Sequence, residues 1–392
     1  MKIAVLGHRR FPIKEPFAGG IERFTYALIK GLEQRGCQVT LFAHPDSDRS
    51  LNLSLEPILD TSFCINHDEE SHEAYLNIMD YLSTQDFDLV HDNSLNYFPI
   101  ILEDRLSAPL VTTLHTPPFA RFTSAVRYRE RKKRGYYISI SKSNTKQWGL
   151  DEDRLDTIYN GVDTKIFGYA PFYQRNCAVW TGRIIPDKGT HLAIEAAQKA
   201  KMKLVIAGRI GDRQYFESKI QPHLGKTVEY VGHLKQKELV ELLQSAAMTL
   251  CTPVWHEPFG LVVIESLACG TPVVAFDRGA MSEILDAQTG IVVPPNDTDA
   301  MAEAMKQAKR LSRYSCRKLV LERFCIETTI DKYITTFKRI VSQHKKNQIC
   351  NLATTFTSTA RDTLKEPEQL LNTSVSPSPS SALALVSTTG TE

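Results

Sequence analysis

The chain has 392 residues, with 47 Lys and Arg against 45 Asp and Glu, and a formal net charge of +2. This length suits two domains, and the near balance of charges argues against a polyanionic partner such as nucleic acid. No apolar run is long enough to predict a membrane-spanning helix. The eight cysteines contain no CxxC pair, so neither a zinc site nor a disulfide framework is expected, and a cytoplasmic location is favoured.

Short apolar runs alternate with amphipathic stretches through the first half of the chain. The predicted strands are 2–7, 38–43, 88–91, 109–115 and 136–139. Between the first two of them, the segment 20–35 has apolar residues at helical spacing, which predicts a helix. This alternation is typical of a parallel sheet whose strands are joined by helices.

The same alternation starts again in the second half. The predicted strands there are 178–181, 203–207, 228–231, 248–251, 272–276 and 290–293. Helical stretches such as 189–200 and 235–245 separate them. Two rounds of alternation predict two doubly wound parallel sheets, and ligands bind such sheets at the carboxyl ends of their strands.

The domain boundaries follow from composition. Glycines and a proline near 165–175 indicate a linker, so we predict a first domain at 1–168 and a second at 169–325. A helix at 326–345 is expected to return to the first domain. Residues 346–392 are rich in Ser and Thr, and this composition predicts a disordered tail.

The loop after the strand 248–251 contains Glu257, and a helix is expected immediately after it. Pro258 suits the start of a helix. Backbone amides in the first turn of a helix lack intrahelical acceptors and bind anions such as a diphosphate. The expected anion-binding residues are Phe259, Gly260 and Leu261.

A second glutamate, Glu265, lies among apolar residues inside this expected helix. A carboxylate in such surroundings is costly unless it is hydrogen-bonded, and the hydroxyl groups of a ligand would meet that need. The alternative interpretation makes Glu257 a helix-capping acid and Glu265 a structural acid with partners of its own.

The sequence GRIIPDKG follows the strand 178–181 and places Arg183 and Lys188 between glycines, just before a helix. A guanidinium offers a planar fork of donors to phosphate oxygens, and an ammonium offers a point charge. The pair therefore predicts a pyrophosphate site. Alternatively, both side chains are solvated surface charges.

These segments together resemble the retaining glycosyltransferases of family 4, which have the GT-B fold. The similarity lies in the E-x7-E pattern of Glu257 and Glu265, the GRIIPDKG loop, the segment TIYNGVDTKIF and the N-terminal GGIERFTYALIKGLEQRGCQVTLFA. It covers residues 1–345 and is more specific in the second half. The implied fold class is α/β, with two doubly wound Rossmann-like domains facing a cleft.

The resemblance implies a nucleotide-sugar donor, with a UDP-sugar favoured over a GDP-sugar, and no cofactor. Glu265 would bind the ribose hydroxyls. The catalytic residues would be Glu257, which contacts the transferred sugar, and His115, which lies beside the sugar and the acceptor. The other donor-binding residues would be Gly19, Gly20, Arg183, Lys188, Leu234, Phe259, Gly260 and Leu261. His8 and His91 also lie at strand ends and are further candidates for the cleft.

The implied activity is the transfer of a hexose with retention of anomeric configuration, in polysaccharide or glycolipid biosynthesis. No acidic metal-binding loop is apparent, and Arg183 and Lys188 would stabilise the departing diphosphate, so metal independence is expected. The alternatives are another GT-B activity, such as a sugar-nucleotide epimerase, and a non-catalytic sugar-nucleotide-binding protein.

The stretch RYRERKKR, residues 127–134, carries six basic residues and one glutamate on the acceptor side. It favours an anionic or lipid-linked acceptor, or peripheral contact of a cytoplasmic protein with the inner membrane surface. A solvated charged helix is the alternative. No nucleic-acid partner is expected.

Overall fold

A computed structural model describes residues 1–55, 67–132, 135–151 and 153–363 of the chain. The chain divides into two compact units, Met1–Ser342 and Gln343–Glu392. The first unit contains both predicted sheets. The second unit is described only as far as Thr363, where the last helix ends.

The first sheet has six parallel strands in the order β2-β1-β3-β4-β5-β6. The strands are β1 (Lys2–Leu6), β2 (Gln38–Phe42), β3 (Leu89–Asp92), β4 (Leu110–Leu114), β5 (Tyr136–Ser139) and β6 (Leu155–Thr157). The α-helices of this half are α1 (Gly20–Gln34), α2 (His67–Ser83), α3 (Phe98–Ile101), α4 (Ala120–Arg131) and α5 (Lys142–Trp148). Strands β3 and β4 are buried along their whole length, as expected when helices cover both faces of a parallel sheet.

The second sheet also has six parallel strands, in the order β12-β11-β10-β7-β8-β9. The strands are β7 (Arg175–Thr181), β8 (Lys203–Ala207), β9 (Val228–Tyr230), β10 (Ala246–Cys251), β11 (Val273–Phe276) and β12 (Gly290–Val293). The α-helices are α6 (Thr190–Lys199), α7 (Arg213–Tyr215), α8 (Gln236–Ser245), α9 (Leu261–Ala268), α10 (Met281–Ile284), α11 (Thr298–Ala308) and α12 (Arg313–Arg323).

The two sheets confirm the predicted α/β class with two doubly wound domains. The strand that the sequence did not predict is β6, which has three residues and lies at the edge of the first sheet. Leu155 is its only buried residue. One apolar side chain produces no periodic pattern, and this explains why the strand was missed.

Parallel pairing brings the carboxyl ends of the strands to one edge of each sheet. His115 follows β4 in the first sheet. In the second sheet, Arg183 follows β7, Arg209 follows β8, and Glu257 lies in the loop after β10. The fold therefore gathers loop residues that are far apart in sequence.

The last helix, α13 (Ile326–Thr363), starts directly after the second half of the chain. Its buried side chains Ile330, Tyr333, Phe337 and Ile340 belong to the core beneath the first sheet. The helix extends past residue 345, where the sequence predicts its end, to Thr363. Residues 364–392 of the predicted tail lie outside the described residues.

Candidate active site

A cavity of about 430 Å³ is lined by loops from both halves of the first unit. The first half contributes the loop after β1, the start of α1 and His115. The second half contributes the loops after β7, β8, β9 and β10 and the start of α9. A cavity of this size lies in the range of small-molecule sites.

Glu257 is buried in the loop after β10 and is held by two side chains of the second half. Its Oε2 atom accepts hydrogen bonds from Lys188 Nζ at 2.6 Å and Trp255 Nε1 at 2.8 Å. The Lys188 ammonium also lies 4.9 Å from the centroid of the Trp255 ring. The lysine predicted for the diphosphate thus also positions the glutamate predicted for the sugar. An ammonium group has three donors, so this ion pair leaves others for a ligand.

Glu265 is buried in α9 and is paired with a residue that the sequence analysis missed. Arg23 of α1 donates a hydrogen bond to Glu265 Oε1 from the other half of the protein. The Arg23 guanidinium lies 5.8 Å from the Phe17 ring and 5.7 Å from the Phe167 ring. The buried carboxylate therefore has a partner in the protein itself. In the sequence, Arg23 comes directly after Glu22 and three residues after the glycine loop, and this position could have indicated that it lies near the cavity.

The helix α9 starts later than the sequence predicts. Its first residue is Leu261, and Gly260 caps it with a left-handed φ of 97°. Residues other than glycine rarely adopt this φ, so the backbone conformation favours glycine, and an added Cβ atom would also require Met281 Cε, 2.6 Å away, to move. Phe259 lies before the helix, buried against the rings of Tyr159 and Phe324. The predicted first turn at 259–261 is therefore a tight turn that leads into the helix.

The glycine loop of the first half lies against the start of α9. Gly19 and Gly20 line the cavity, together with Leu261. A Cβ atom at Gly20 would lie 2.7 Å from Leu261 Cδ1. The absence of a side chain at Gly20 therefore allows the backbone of one half to approach the helix of the other.

His115 lines the cavity and belongs to a chain of buried polar groups. Its Nε2 donates a hydrogen bond to Asn93 Oδ1 at 2.7 Å, because a carbonyl oxygen can only accept. Behind Asn93, the side chain of His91 is hydrogen-bonded through Nε2 to Thr113 Oγ1 at 2.8 Å. Burial, with a smaller effect of His8, lowers the pKa of His115 to about 3. The imidazole is therefore neutral near pH 7. Asn93, which orients it, was not predicted.

Three further arginines line the cavity: Arg10, Arg183 and Arg209. Among the residues that the structure describes, none of the three forms a salt bridge with an acid. Arg183 was predicted, whereas Arg10 and Arg209 were not. The signal for Arg209 was its place directly after a strand and a glycine, which matches the place of Arg183.

Hydrogen bonds next to Pro258, which lines the cavity, join the second half to the first half. The Glu283 carboxylate accepts hydrogen bonds from the backbone amides of Lys142 and Ser143 at 2.7 and 3.0 Å. Ser141 Oγ donates to the carbonyl of Pro258 at 2.6 Å.

On another side, the predicted base-contact residue Leu234 lines the cavity. Its neighbour His233 donates from Nε2 to the Phe17 carbonyl at 3.1 Å.

The basic stretch 127–134 is used largely in packing. Arg129 is buried and forms salt bridges with Glu103 and Asp104. Arg127 donates hydrogen bonds to the carbonyls of Trp148 and Gly149. Residues 133 and 134 lie outside the described residues, and Arg131 and Lys132 are exposed. The predicted anion-binding character of this stretch therefore rests on fewer residues than the sequence indicated.

The described residues contain no cluster of three or more His, Cys, Asp or Glu side chains that could hold a metal ion. Among the helices of that same part of the chain, none combines the length and apolarity needed to cross a membrane.

Two parallel sheets with a ligand-sized cavity at their carboxyl ends define the class of the protein as GT-B. Two family models then match consecutive parts of the chain. The model for glycosyltransferase family 4 matches residues 18–166, and the model for glycosyl transferases group 1 matches residues 163–320. The chain therefore belongs to the GT-B glycosyltransferases, and the family assignment made from its motifs is confirmed.

Its relatives are distant. A glycogen synthase of Mycobacterium tuberculosis is 27% identical over 241 residues, which is 55% of this chain and 58% of that protein. A phosphatidyl-myo-inositol mannosyltransferase of Mycolicibacterium smegmatis is 27% identical over 252 residues, with 59% and 64% covered. The chain thus spans somewhat more than half the length of these relatives.

Solved structures share the fold. AviGT4, a glycosyltransferase involved in avilamycin A biosynthesis, has a TM-score of 0.68 at 24% identity, with 87% of this chain and 98% of that chain covered. Anabaena HepE in complex with UDP-glucose has a TM-score of 0.70 at 18% identity, with 86% and 100% covered.

Proposed function

We propose that the protein transfers a hexose from a nucleoside-diphosphate sugar to an acceptor, with retention of configuration and without a metal ion. The observation that carries the proposal is the cavity in which Glu257, Lys188 and Arg183 meet the glycine loop of the first half. The solved complex of Anabaena HepE with UDP-glucose supports this type of donor, and a UDP-sugar in particular.

The diphosphate would lie between Arg183, Lys188 and the start of α9, with Gly19 and Gly20 on its other side. Backbone at Leu234 would contact the base. Charged groups that already stand in a water-poor cavity stabilise developing charge without reorganisation. Here that charge would be the one that grows on the departing diphosphate.

The sugar would lie between Glu257 and His115. Glycosyl transfer passes through an oxocarbenium-like state, and the carboxylate held by Lys188 and Trp255 would face it. As the bond from the anomeric carbon to the phosphate oxygen breaks, the acceptor oxygen would bond to the same face. The acceptor proton would pass to the leaving phosphate oxygen. His115 would orient the sugar by hydrogen bonding, because its imidazole is neutral.

The donor can be identified by incubating the protein with a panel of UDP- and GDP-hexoses and measuring released nucleoside diphosphate. A transferase or slow hydrolase releases the diphosphate and a sugar with retained configuration. An epimerase would instead return a rearranged sugar without any acceptor. Tight binding of a nucleotide sugar without any turnover would favour the non-catalytic alternative.

The phosphate assignment is tested by Arg183→Ala, for which we expect turnover to fall by roughly 10²-fold through lost stabilisation of the leaving group. Arg213→Ala is the matched control, because Arg213 is exposed and paired with Glu217. Turnover of Arg183→Ala close to wild type, with an unchanged circular dichroism spectrum, would contradict the assignment.

We propose a peripheral contact with the inner surface of the cytoplasmic membrane through the exposed face of α4. Phe119, Arg121, Tyr128, Arg131 and Lys132 are exposed there. The connection from His115 to α4 is short, so a lipid-linked or anionic acceptor bound there would be close to the cavity. Each basic residue near an anionic surface contributes about 1 kcal/mol.

Sedimentation with phosphatidylglycerol vesicles tests this contact. We expect binding that Arg121→Gln combined with Arg131→Gln weakens, and no binding to phosphatidylcholine vesicles. Equal sedimentation of wild type and the double variant would contradict the proposed surface.

A further inference from the structure

Three neighbouring loops at the carboxyl edge of the second sheet lie side by side in the cavity. The amide of Ile184 donates to the carbonyl of Arg209 at 2.9 Å, which joins the loop after β7 to the loop after β8. The amide of Gly208 donates to the carbonyl of Gly232 at 2.8 Å, which joins the loop after β8 to the loop after β9. Arg209 therefore lies between the loop that carries Arg183 and the loop that carries Leu234.

Arg209 differs from two other cations of the cavity, Lys188 and Arg23, because each of those has an acidic partner. Lys188 is paired with Glu257, and Arg23 is paired with Glu265. Within the described part of the chain, no salt bridge joins Arg209 to an acid. A guanidinium that lines a cavity without a directly bonded carboxylate has donors for an anionic ligand.

Glu22 is the acid in the cavity lining that could pair with Arg209. It is 5% exposed and lines the same cavity. Burial raises the pKa of Glu22, and the positive charges of Arg183 and Arg209 only partly oppose that effect. Both arginines therefore interact with Glu22 electrostatically, and neither forms a salt bridge with it.

Phe11, from the loop after β1 in the first half, covers one side of Arg209. The Arg209 Cζ atom lies 4.5 Å from the centroid of the Phe11 ring, and Arg10 Cζ lies 5.6 Å from the same centroid. An aromatic face attracts a guanidinium and fixes its plane, while the N–H groups at the guanidinium edge stay available. The first half of the protein thus orients a cation of the second half.

We propose that Arg209 is a further phosphate-binding residue for the donor, held in position by Phe11 across the cavity. This inference rests on the proposed function, since it takes the β-phosphate to lie at Arg183 and the base at Leu234. The group between those two positions in a nucleoside diphosphate is the α-phosphate, next to the ribose. Arg209 occupies the loop between them.

Calorimetric titration with uridine, UMP and UDP tests the inference on wild type, Arg209→Gln and Arg213→Gln. A hydrogen bond to a charged group is worth enough to expect about a tenfold or greater loss of UDP and UMP affinity in Arg209→Gln. Affinity for uridine should be unchanged, because uridine has no phosphate. Arg213→Gln removes the same charge four residues further along and should bind all three ligands like wild type.

Two results would overturn the inference. Unchanged UDP affinity in Arg209→Gln would show that Arg209 does not bind the phosphates, and an equal loss for uridine would place it at the nucleoside instead. Arg183→Gln separates this failure from failure of the proposed function. If wild type binds no nucleoside diphosphate, the function is wrong; if Arg183→Gln loses UDP affinity and Arg209→Gln does not, only the role of Arg209 is wrong.

The positioning role of Phe11 has its own test. Phe11→Leu keeps an apolar side chain but removes the aromatic face, and we expect it to weaken UDP binding several-fold without affecting uridine. In combination with Arg209→Gln, it should add little further loss, because both changes remove one interaction. Fully additive losses in the double variant would show that Phe11 acts independently of Arg209.

Discussion

At the scale of single residues, the two acids of the E-x7-E pattern are each held by a cation, but in different ways. Lys188 and Glu257 belong to the same half, and their contact fixes the carboxylate at the wall of the cavity. Arg23 and Glu265 come from opposite halves and are 242 positions apart in sequence. Removing one member of a buried pair leaves an uncompensated charge, so both acids are sensitive positions with different consequences.

We expect Glu265→Ala to weaken binding of bare UDP, because it removes the predicted ribose contact and leaves Arg23 without its carboxylate. Glu257→Ala should lower turnover much more than it lowers affinity for UDP, since its predicted partner is the sugar. Calorimetry with UDP and turnover with the preferred donor separate the two effects. Equal losses of UDP affinity in both variants would reject this division of roles.

Buried histidines predict a dependence of stability on pH. Burial is the main cause that lowers the pKa of His8 to about 4, and of His91 and His115 to about 3, from 6.5. The unfolded chain therefore binds more protons than the folded chain below pH 6.5, and stability falls as the pH is lowered from there towards 4. Burial raises the pKa of Asp92 from 3.8 to about 6 and also raises the pKa of Glu22, and these two carboxyl groups act in the opposite direction to the three histidines.

Urea unfolding between pH 7 and pH 4.5 measures this dependence. Each such imidazole contributes a slope of at most about 1.4 kcal/mol per pH unit. His91→Asn should reduce the slope by up to that amount, because it removes one of the three groups. A free energy of unfolding that does not change over this range would show that these histidines titrate normally in the folded protein.

At the scale of secondary-structure elements, α13 joins the two halves by packing. It follows the last elements of the second half, yet its buried side chains lie in the core of the first sheet. Ile330 approaches α1 so closely that a Cβ atom at Gly31 would lie 1.9 Å from Ile330 Cδ1. The stability of the first half therefore depends on a helix at the far end of the sequence.

Phe337→Ala should destabilise the protein by about 3–5 kcal/mol, the usual cost of removing a large buried aromatic side chain. Phe337 is fully buried and packs against His91 and Tyr333. Lys338→Ala is the matched control, since Lys338 is the exposed neighbour on the same helix. Equal thermal midpoints for the two variants would mean that the helix does not pack as described.

At the scale of the whole first unit, the cavity exists only because the two halves contact each other. The Arg23–Glu265 ion pair joins the two halves at the cavity, and the hydrogen bonds from residues 141–143 to Pro258 and Glu283 join them near Pro258, which also lines it. Cations from both halves line it, and this is the basis for expecting that phosphate charge is stabilised without a metal ion.

Turnover of the preferred donor should therefore persist in EDTA at the wild-type rate. The measurement is nucleoside diphosphate release with and without the chelator, followed by addition of Mg²⁺ or Mn²⁺. Loss of turnover in EDTA with recovery on addition of either metal would show that the arginines and Lys188 are insufficient.

The sequence by itself determined the two sheets, the order of their strands along the chain and the loops that carry Glu257, Arg183 and Lys188. These features depend on local patterns: apolar runs of strand length, glycines at turns and the spacing of charged residues within one loop. The predicted start of α9 differs from the observed one because Pro258 and Phe259 suit a helix start, whereas in the structure Gly260 adopts a left-handed φ of 97° and the helix begins after it.

Only the tertiary structure decided which charges are paired and which remain available. Arg23 reaches Glu265, Asn93 orients His115, and Phe11 covers Arg209, although none of these pairs is close in sequence. The sequence predicted that Lys188 would bind phosphate alone, whereas in the structure it also forms an ion pair with Glu257. Such pairings depend on how two sheets and their loops meet in space, and no local pattern in the chain records the distance between groups that far apart.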